Sequence, residues 1–565
     1  MAGIRRALRS VPWGFVVQAI YLGLWLLSLV FGYVGLSTYC NALNAVQPHS
    51  ISARASDIAY YDLELILIQF TPFSNPPVDR APPPVPWGLQ IARFAAPTIV
   101  AFSFVKVRLA VSAHRLQRAR LRRLRDHVIV CGSSRAADVM VRRLRDEGKT
   151  VVHIDPDLRR PGRHTIDGNP VARRTLMDAG VTRATCLYAC LDRGSQNAEI
   201  AHVVERIRDG RSRPHRVYAL IDDLELCMSL RARRWSMGTG APRVDFFNPD
   251  ELAAQAAVRR DATAFTEEPP EIAIAGTGAF GRSVLVEFAR QWIVRRRVSE
   301  ERMRVLLIGT GSDEAAERLY ERYAFLAGAC VIVPVAEPVE GVLLRRQREA
   351  APPLRRLYLC QEDEDEALRA ALGLAAHLRS TLTAVVVRLE RMSGLAKAFR
   401  RDRGGLFDAL GGRLLLVDAT KEGCDPARVE DGLGEELARA CHQSYLLRRL
   451  AAGSRFGSTP ALQYWEGLAD DLRAANRDQA ADIGRKLREI DCLVTPRGVV
   501  ERDFVYDDEE VEHLARLEHD RWRSERASRG WSYGRIPDRD GKTHPDLVPW
   551  NELSEAEREK DREAV

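Results

Sequence analysis

The chain has 565 residues, too many for one hydrophobic core, so three or four folding units are expected. Its 46% hydrophobic and 28% charged content excludes a collagen-like or disordered polymer. A formal charge of +7 is small for this length, and the clustering of the arginines matters more than their sum; no nucleic-acid partner is expected. Ten cysteines form no CxxC pair and no Cys/His quartet at zinc spacing, so no metal is expected. Cys131, Cys186, Cys190, Cys330 and Cys360 sit in apolar runs, as buried free thiols in a reducing compartment would.

No Lys, Arg, Asp or Glu occurs between Arg9 and Arg54, and residues 12–37 are apolar over a length that crosses about 30 Å of hydrocarbon as a helix. Trp13 and Tyr39 stand near its ends, where amphipathic rings favour the headgroups. A cleaved signal peptide has a shorter apolar core and is the weaker reading. A second candidate span covers 87–109, interrupted by Arg93, Pro97 and Lys106. Arg5, Arg6 and Arg9 precede the first span, and six arginines from Arg115 to Arg125 follow the second. Both basic flanks belong on the cytoplasmic side, which predicts two spans in the cell (inner) membrane with both termini cytoplasmic. The connection 38–86 holds a short apolar run, Leu63 to Phe70, and a proline-rich stretch, Thr71 to Pro86. That run is too short to span and suits a re-entrant half-helix.

From His127 strands and amphipathic helices alternate. HVIVCG reads as a buried strand ending in Gly132, Ala136 to Glu147 as a helix, and TVVHID as a strand ending in Asp155. This βαβ unit places Asp155 where such folds hold a ribose hydroxyl. Its glycine turn keeps only Gly132, and Ser134 adds a side chain where backbone approaches a pyrophosphate. A Rossmann-type fold that binds nothing is the competing reading.

With Gly168-Asn169, Asp178-Ala179-Gly180-Val181 and the later Asn197, the segment resembles a TrkA-type, or RCK (regulator of potassium conductance), N-terminal domain, assigned to 127–265. That resemblance implies a doubly wound parallel sheet binding NAD(H) or another adenine nucleotide, with Gly132, Ser134, Asp155, Gly168 and Asn169 as contacts. A second copy is expected over 270–450, where EIAIAGTGAFG carries all three glycines, Gly276, Gly278 and Gly281, between a strand and a helix. Its acidic ribose partner is missing, with Asp313 a poor substitute.

The segment 460–562 turns helical and tryptophan-rich. LEHDRW (517–522), GWSYG (530–534) and HPDLVPWNEL (544–553), in that order, resemble the RyR domain, the repeat first named in ryanodine receptors. Glu518, Arg521 and Trp522 fall at i, i+3 and i+4 and share a helix face. With His519, Trp531, Tyr533 and His544 they form the candidate pocket for a nucleotide-like ligand, Arg for phosphate and rings for a base. The competing reading makes the tryptophans core and Glu518–Arg521 a structural pair.

The expected fold class is thus α/β, with Rossmann-type cytoplasmic domains, two transmembrane helices before them and a mainly α domain after them. Two spans, a re-entrant-like segment and RCK-type domains, in that order, resemble two-span potassium-type channels with a cytoplasmic gating ring, which implies a homo-oligomer, by resemblance a tetramer. A nucleotide-type ligand would gate it. The chain departs from such channels at the filter: TVGYG is replaced by Thr71-Pro72-Phe73-Ser74-Asn75-Pro76, so Thr71, Phe73, Ser74 and Asn75 are pore candidates without potassium chemistry. The alternative is a membrane-anchored nucleotide sensor with no selective pore. A membrane-bound NAD(P) oxidoreductase is the poorer third reading, because no catalytic group accompanies the folds; no enzyme is expected.

Overall fold

A computed structural model describes residues 13–46, 48, 51–66, 83–156, 162, 164–207, 216–237, 244–261, 265, 269–296, 301–352, 354–374, 384–390, 414–497, 504–538 and 540–565. The chain divides into two compact units, Met1–Ala119 and Arg120–Val565. The pore candidates Thr71, Phe73, Ser74 and Asn75 lie outside the described residues.

In the first unit, the helix Trp13–Val46 is followed by the helix Ala55–Ile66 and by the long helix that begins at Trp87. Leu22–Val46 is the one helical stretch among the described residues that is long and apolar enough to cross a membrane. Two glycines let the neighbouring elements approach it: Asp62 fills the space where a Gly32 side chain would go, and a Cβ on Gly35 would stand 2.6 Å from Leu89 Cβ. Leu36, Tyr39, Leu43, Ile58, Leu65 and Leu89 form the small core between the three helices. Leu22, Leu26, Val30 and Val34 stay exposed on the same long helix. Such an apolar face is stable where lipid, not water, surrounds it. The helix Trp87–Leu121 carries Arg93, Lys106 and Arg108 and does not reach that apolarity.

The second unit contains two six-stranded parallel sheets. The first has the order β3-β2-β1-β4-β5-β6, with β1 Val128–Cys131, β2 Val151–Asp155, β3 Thr165–Asp167, β4 Cys186–Ala189, β5 Arg216–Leu220 and β6 Val244–Phe247. The second repeats it as β9-β8-β7-β10-β11-β12, with β7 Glu271–Ala275, β8 Met303–Ile308, β9 Cys330–Val335, β10 Arg356–Leu359, β11 Val385–Leu389 and β12 Leu414–Asp418. Both follow the 3-2-1-4-5-6 order of doubly wound folds, in which ligands bind where the order reverses. Strands buried on both faces read as continuous apolar runs, as VIVC and VVHID do. The second sheet extends past residue 400, since β12 pairs with β11 and completes it.

The two copies interlock through their linking helices. The helix Pro249–Arg260 leaves β6, yet Ala253, Ala254 and Val258 belong to the core of the second sheet. Conversely, Cys424 and Val429, which follow β12, join the core of the first sheet. Bidentate pairs fasten the seam: Arg388 to Asp250 at 2.9 and 3.0 Å, and Arg259 to Glu287 at 2.7 and 3.2 Å. The helix Pro426–Ala451 breaks at Gly432, whose φ of 52° and ψ of −159° suit glycine alone. The chain restarts as helix at Leu433, whose N–H donates to the buried Asp245 carboxylate at 3.4 Å.

The C-terminal part is helical: Asp470–Glu489, Asp508–Ser528 and Glu555–Ala564, with a two-residue pairing of Ser532–Tyr533 and Thr543–His544. Asp507 and Glu510 form a reciprocal cap on the middle helix, at 2.7 and 3.0 Å.

Candidate functional site

The glycine turns occupy equivalent places in the two sheets. Gly132 follows β1 at φ 123° and Gly276 follows β7 at φ 114°. The Gly132 N–H donates to Ile154 O at 2.9 Å, as the Gly276 N–H does to Ile308 O at 2.9 Å. Where the strand order reverses, Cys190 N–H donates to Cys131 O and Cys360 N–H to Ala275 O, at 2.8 and 2.7 Å. A side chain on Gly132 would run into Cys190 O, and one on Gly276 would place Cβ 2.6 Å from Cys360 O. Both turns therefore lie in the crevice where doubly wound folds take ligands.

They differ in what surrounds the crevice. In the first copy the register pairs Cys131 with Ile154, which sets Asp155 beside Gly132, at the ribose position. His153 Nε2–H donates to Gly132 O at 2.7 Å and fixes the turn. Ser134 caps the helix Arg135–Asp146: its hydroxyl accepts from Ala137 N–H at 3.1 Å and donates to Cys190 O. Its side chain thus takes one of the N–H groups that a phosphate would use. Arg135, in the first turn, pairs with Asp418 at 2.6 Å. Gly168 and Asn169 shape a neighbouring turn: the Asn169 amide oxygen accepts from Val171 N–H at 2.9 Å, and Gly168 abuts Thr175. Asn197, fully buried, ties the loop after β4 to β5 through Leu191 and Leu220 at 2.8–3.0 Å, a structural duty.

In the second copy Gly278 starts the helix Ala279–Arg295 with no side-chain cap, so its first N–H groups face the crevice. Gly281 packs directly on Gly276 O. Opposing a phosphate there, Glu362 Oε1 lies 3.1 Å from the position of a Gly278 Cβ. At the equivalent position Gly309 follows β8, and Asp313 sits in the first turn of the next helix. The first copy thus carries an acidic residue beside its glycine turn, and the second carries the three glycines without one.

The C-terminal residues fall on two faces of the helix Asp508–Ser528. Glu518 and Arg521 face the helix Asp470–Glu489: Arg521 donates to both Glu518 oxygens at 2.9 and 2.7 Å, and Lys486 Nζ pairs with the same carboxylate. Burial would raise the Glu518 pKa, but Arg521 and Lys486 outweigh it and hold the carboxyl below its ordinary range.

His519 and Trp522 face the other way. His519 Nε2–H donates to Val548 O at 2.8 Å and Nδ1 lies 3.1 Å from Asp561. Burial would lower its pKa, yet the Asp561 carboxylate outweighs burial and raises it. The Trp522 ring lies between His519, at 5.9 Å and near-parallel, and His544, at 5.3 Å edge-on. Burial, with Arg526 and Lys560 nearby, lowers the His544 pKa, and its Nδ1 accepts from Asp546 N–H at 3.2 Å. Trp531 joins through Arg526, whose guanidinium lies 4.7 Å from the Trp531 ring and 5.9 Å from that of Trp522. Tyr533 is exposed.

Two features depart from the expected pocket. Arg521 turns to Glu518, because a buried carboxylate captures the nearest guanidinium, so the expected shared face of Arg521 and Trp522 splits. Arg526 takes the place beside the rings instead, and its i+4 spacing from Trp522 was the signal for it. Among the described residues no group of His, Cys, Asp and Glu is arranged to hold a metal ion.

No curated protein matches the sequence. Among solved structures, GsuK bound to ADP aligns at 15% identity and TM-score 0.35 over 72% of this chain and 97% of its own. The GsuK channel aligns at 15% identity and TM-score 0.36 over 73% and 99%. The GsuK channel bound to NAD aligns at 13% identity and TM-score 0.32 over 74% and 84%. Two domain families match by sequence: residues 128–234 match the TrkA-N domain model, and residues 506–565 match the RyR domain model.

Proposed function

We propose that this protein is a non-catalytic, nucleotide-responsive regulator of ion passage at a membrane. The observation that carries this reading is the chain order: an apolar 25-residue helical stretch, Leu22–Val46, precedes a TrkA-N domain in a doubly wound tandem. Two spans with both termini cytoplasmic, and assembly into a homo-oligomer (a tetramer, by analogy with gating rings), complete it. The ligand is NAD(H) or another adenine nucleotide, with Asp155 taking the ribose hydroxyls beside Gly132. The RyR domain supplies a second sensing element through Trp522, Trp531 and Arg526.

One observation favours a second reading, an anchored nucleotide sensor without a selective pore. At the place of a potassium filter, Thr71 to Pro76 contains two prolines and no glycine, so no ring of filter carbonyls follows from it.

Nucleotide binding tests the part common to both readings. In the full chain, solubilised in detergent, calorimetric titration with ADP and NAD should show binding that Asp155→Ala weakens by about 1–3 kcal/mol, the worth of a charge-assisted hydrogen bond. Unmodified protein that binds no adenine nucleotide would leave the tandem as scaffold and overturn the proposal.

A further inference from the structure

Apart from the glycine turns and the RyR aromatic cluster, a cleft of about 430 Å³ opens between the helices Pro249–Arg260 and Ala279–Arg295 and the loop before Trp465. Its volume falls in the range of small-ligand sites, about 300–1,000 Å³. The feature that sets it apart is Arg295. The guanidinium lies 4.9 Å from the Phe265 ring and 5.3 Å from the Tyr464 ring. Its Nε is buried and has no hydrogen-bond partner among the described residues.

The neighbouring cations are committed. Arg259 holds Glu287 at 2.7 and 3.2 Å, Arg439 holds Glu466 at 2.8 Å, and Arg296 donates to Gly328 O at 2.7 Å. Arg295 has no carboxylate partner among the described residues. Contact with two rings holds the guanidinium in place, and its terminal N–H groups are the ones left for an acceptor. The carboxylate that lines the cleft, Glu466, is paired with Arg439 at 2.8 Å and so repels an anion weakly.

The wall beside Arg295 is aromatic: Phe456 and Tyr464 rings stand 4.6 Å apart, tilted by 45°. They belong to a loop that turns at Gly453 and Gly457, with φ of 87° and 77°, and closes through Gly457 N–H to Leu462 O at 2.7 Å. We infer that this cleft binds a small anionic ligand with a planar ring, the anionic oxygen on Arg295 and the ring against Phe456 and Tyr464. The site joins the helix begun by the second glycine turn to the loop that leads into the C-terminal helices. Occupancy would tie those two parts together. The inference does not rest on nucleotide binding at the glycine turns.

The test uses the full chain in detergent and phenyl phosphate as the probe, with inorganic phosphate and phenol as the separate halves of its chemistry. Calorimetric titration should show phenyl phosphate binding more tightly than either half. Arg295→Gln should weaken it by at least about tenfold, the loss of one charge-assisted hydrogen bond. Phe456→Leu, on the cleft wall, removes a ring the ligand would lie against without touching Arg295 and should weaken it severalfold, which covers the case that Arg295→Gln fails to fold. Asp155→Ala should leave phenyl phosphate binding unchanged. Wild-type binding no tighter than that of phosphate, or binding that both cleft variants retain, would overturn the site.

Discussion

Glu518→Ala should destabilise the C-terminal part by about 3–5 kcal/mol, because removing one partner of a buried charge cluster strands the others. Lys486 is buried beside Glu518, and Arg521 donates to both of its oxygens. Without the carboxylate, two cations face each other out of water. The cost belongs to the stranded charges, and a compensating change exposes that: replacing Lys486, Glu518 and Arg521 together by Met should recover most of the loss, since apolar replacement of a whole buried charge cluster is often neutral or stabilising. Chemical denaturation of the single and triple variants measures both. If Glu518→Ala costs no more than a surface substitution, the Lys486–Glu518–Arg521 cluster is not holding these helices together.

Gly276→Ala should cost about 2–5 kcal/mol, combining backbone strain with a clash that cannot relax cheaply. At φ 114° an L side chain is strained wherever it points, and this one would meet a backbone carbonyl, Cys360 O, at 2.6 Å. The carbonyl is pinned, since the neighbouring Cys360 N–H is bonded to Ala275 O at 2.7 Å. Gly373→Ala makes the control: it lies in the helix Glu364–Leu374 with nothing within 4 Å of its Cβ position. That change should stabilise by about 0.5–1 kcal/mol through helix propensity. Thermal unfolding of the two variants should move in opposite directions. Equal small shifts would mean that the turn after β7 has room that the geometry denies.

Much of the second unit was legible because its signals are local. The runs before Gly132 and Gly276, the helices after them and the strand ending in Asp155 each declare themselves within a dozen residues. What escaped depends on pairing across long distances. β12 joins the second sheet through β11, yet LLLVD is as compatible with a helix as with a strand until that partner is known. Ser134 read correctly as an added side chain, but its capping of Ala137 and its bond to Cys190 O depend on a loop 56 residues away. Glu518 and Arg521 read as neighbours at i and i+3; Lys486, 32 residues earlier, was invisible as the third member. The break at Gly432 hid inside a helical pattern because the carboxylate that restarts the helix, Asp245, comes from β6.

Regulated ion passage is the central claim, and ion flux through the reconstituted full chain tests it most directly. Protein inserted in potassium-loaded vesicles should release cations at a rate that ADP or NAD changes, and Asp155→Ala should shift that response to higher nucleotide concentration. Vesicles with inserted, nucleotide-binding protein that show no flux under any nucleotide would contradict the account and leave an anchored sensor.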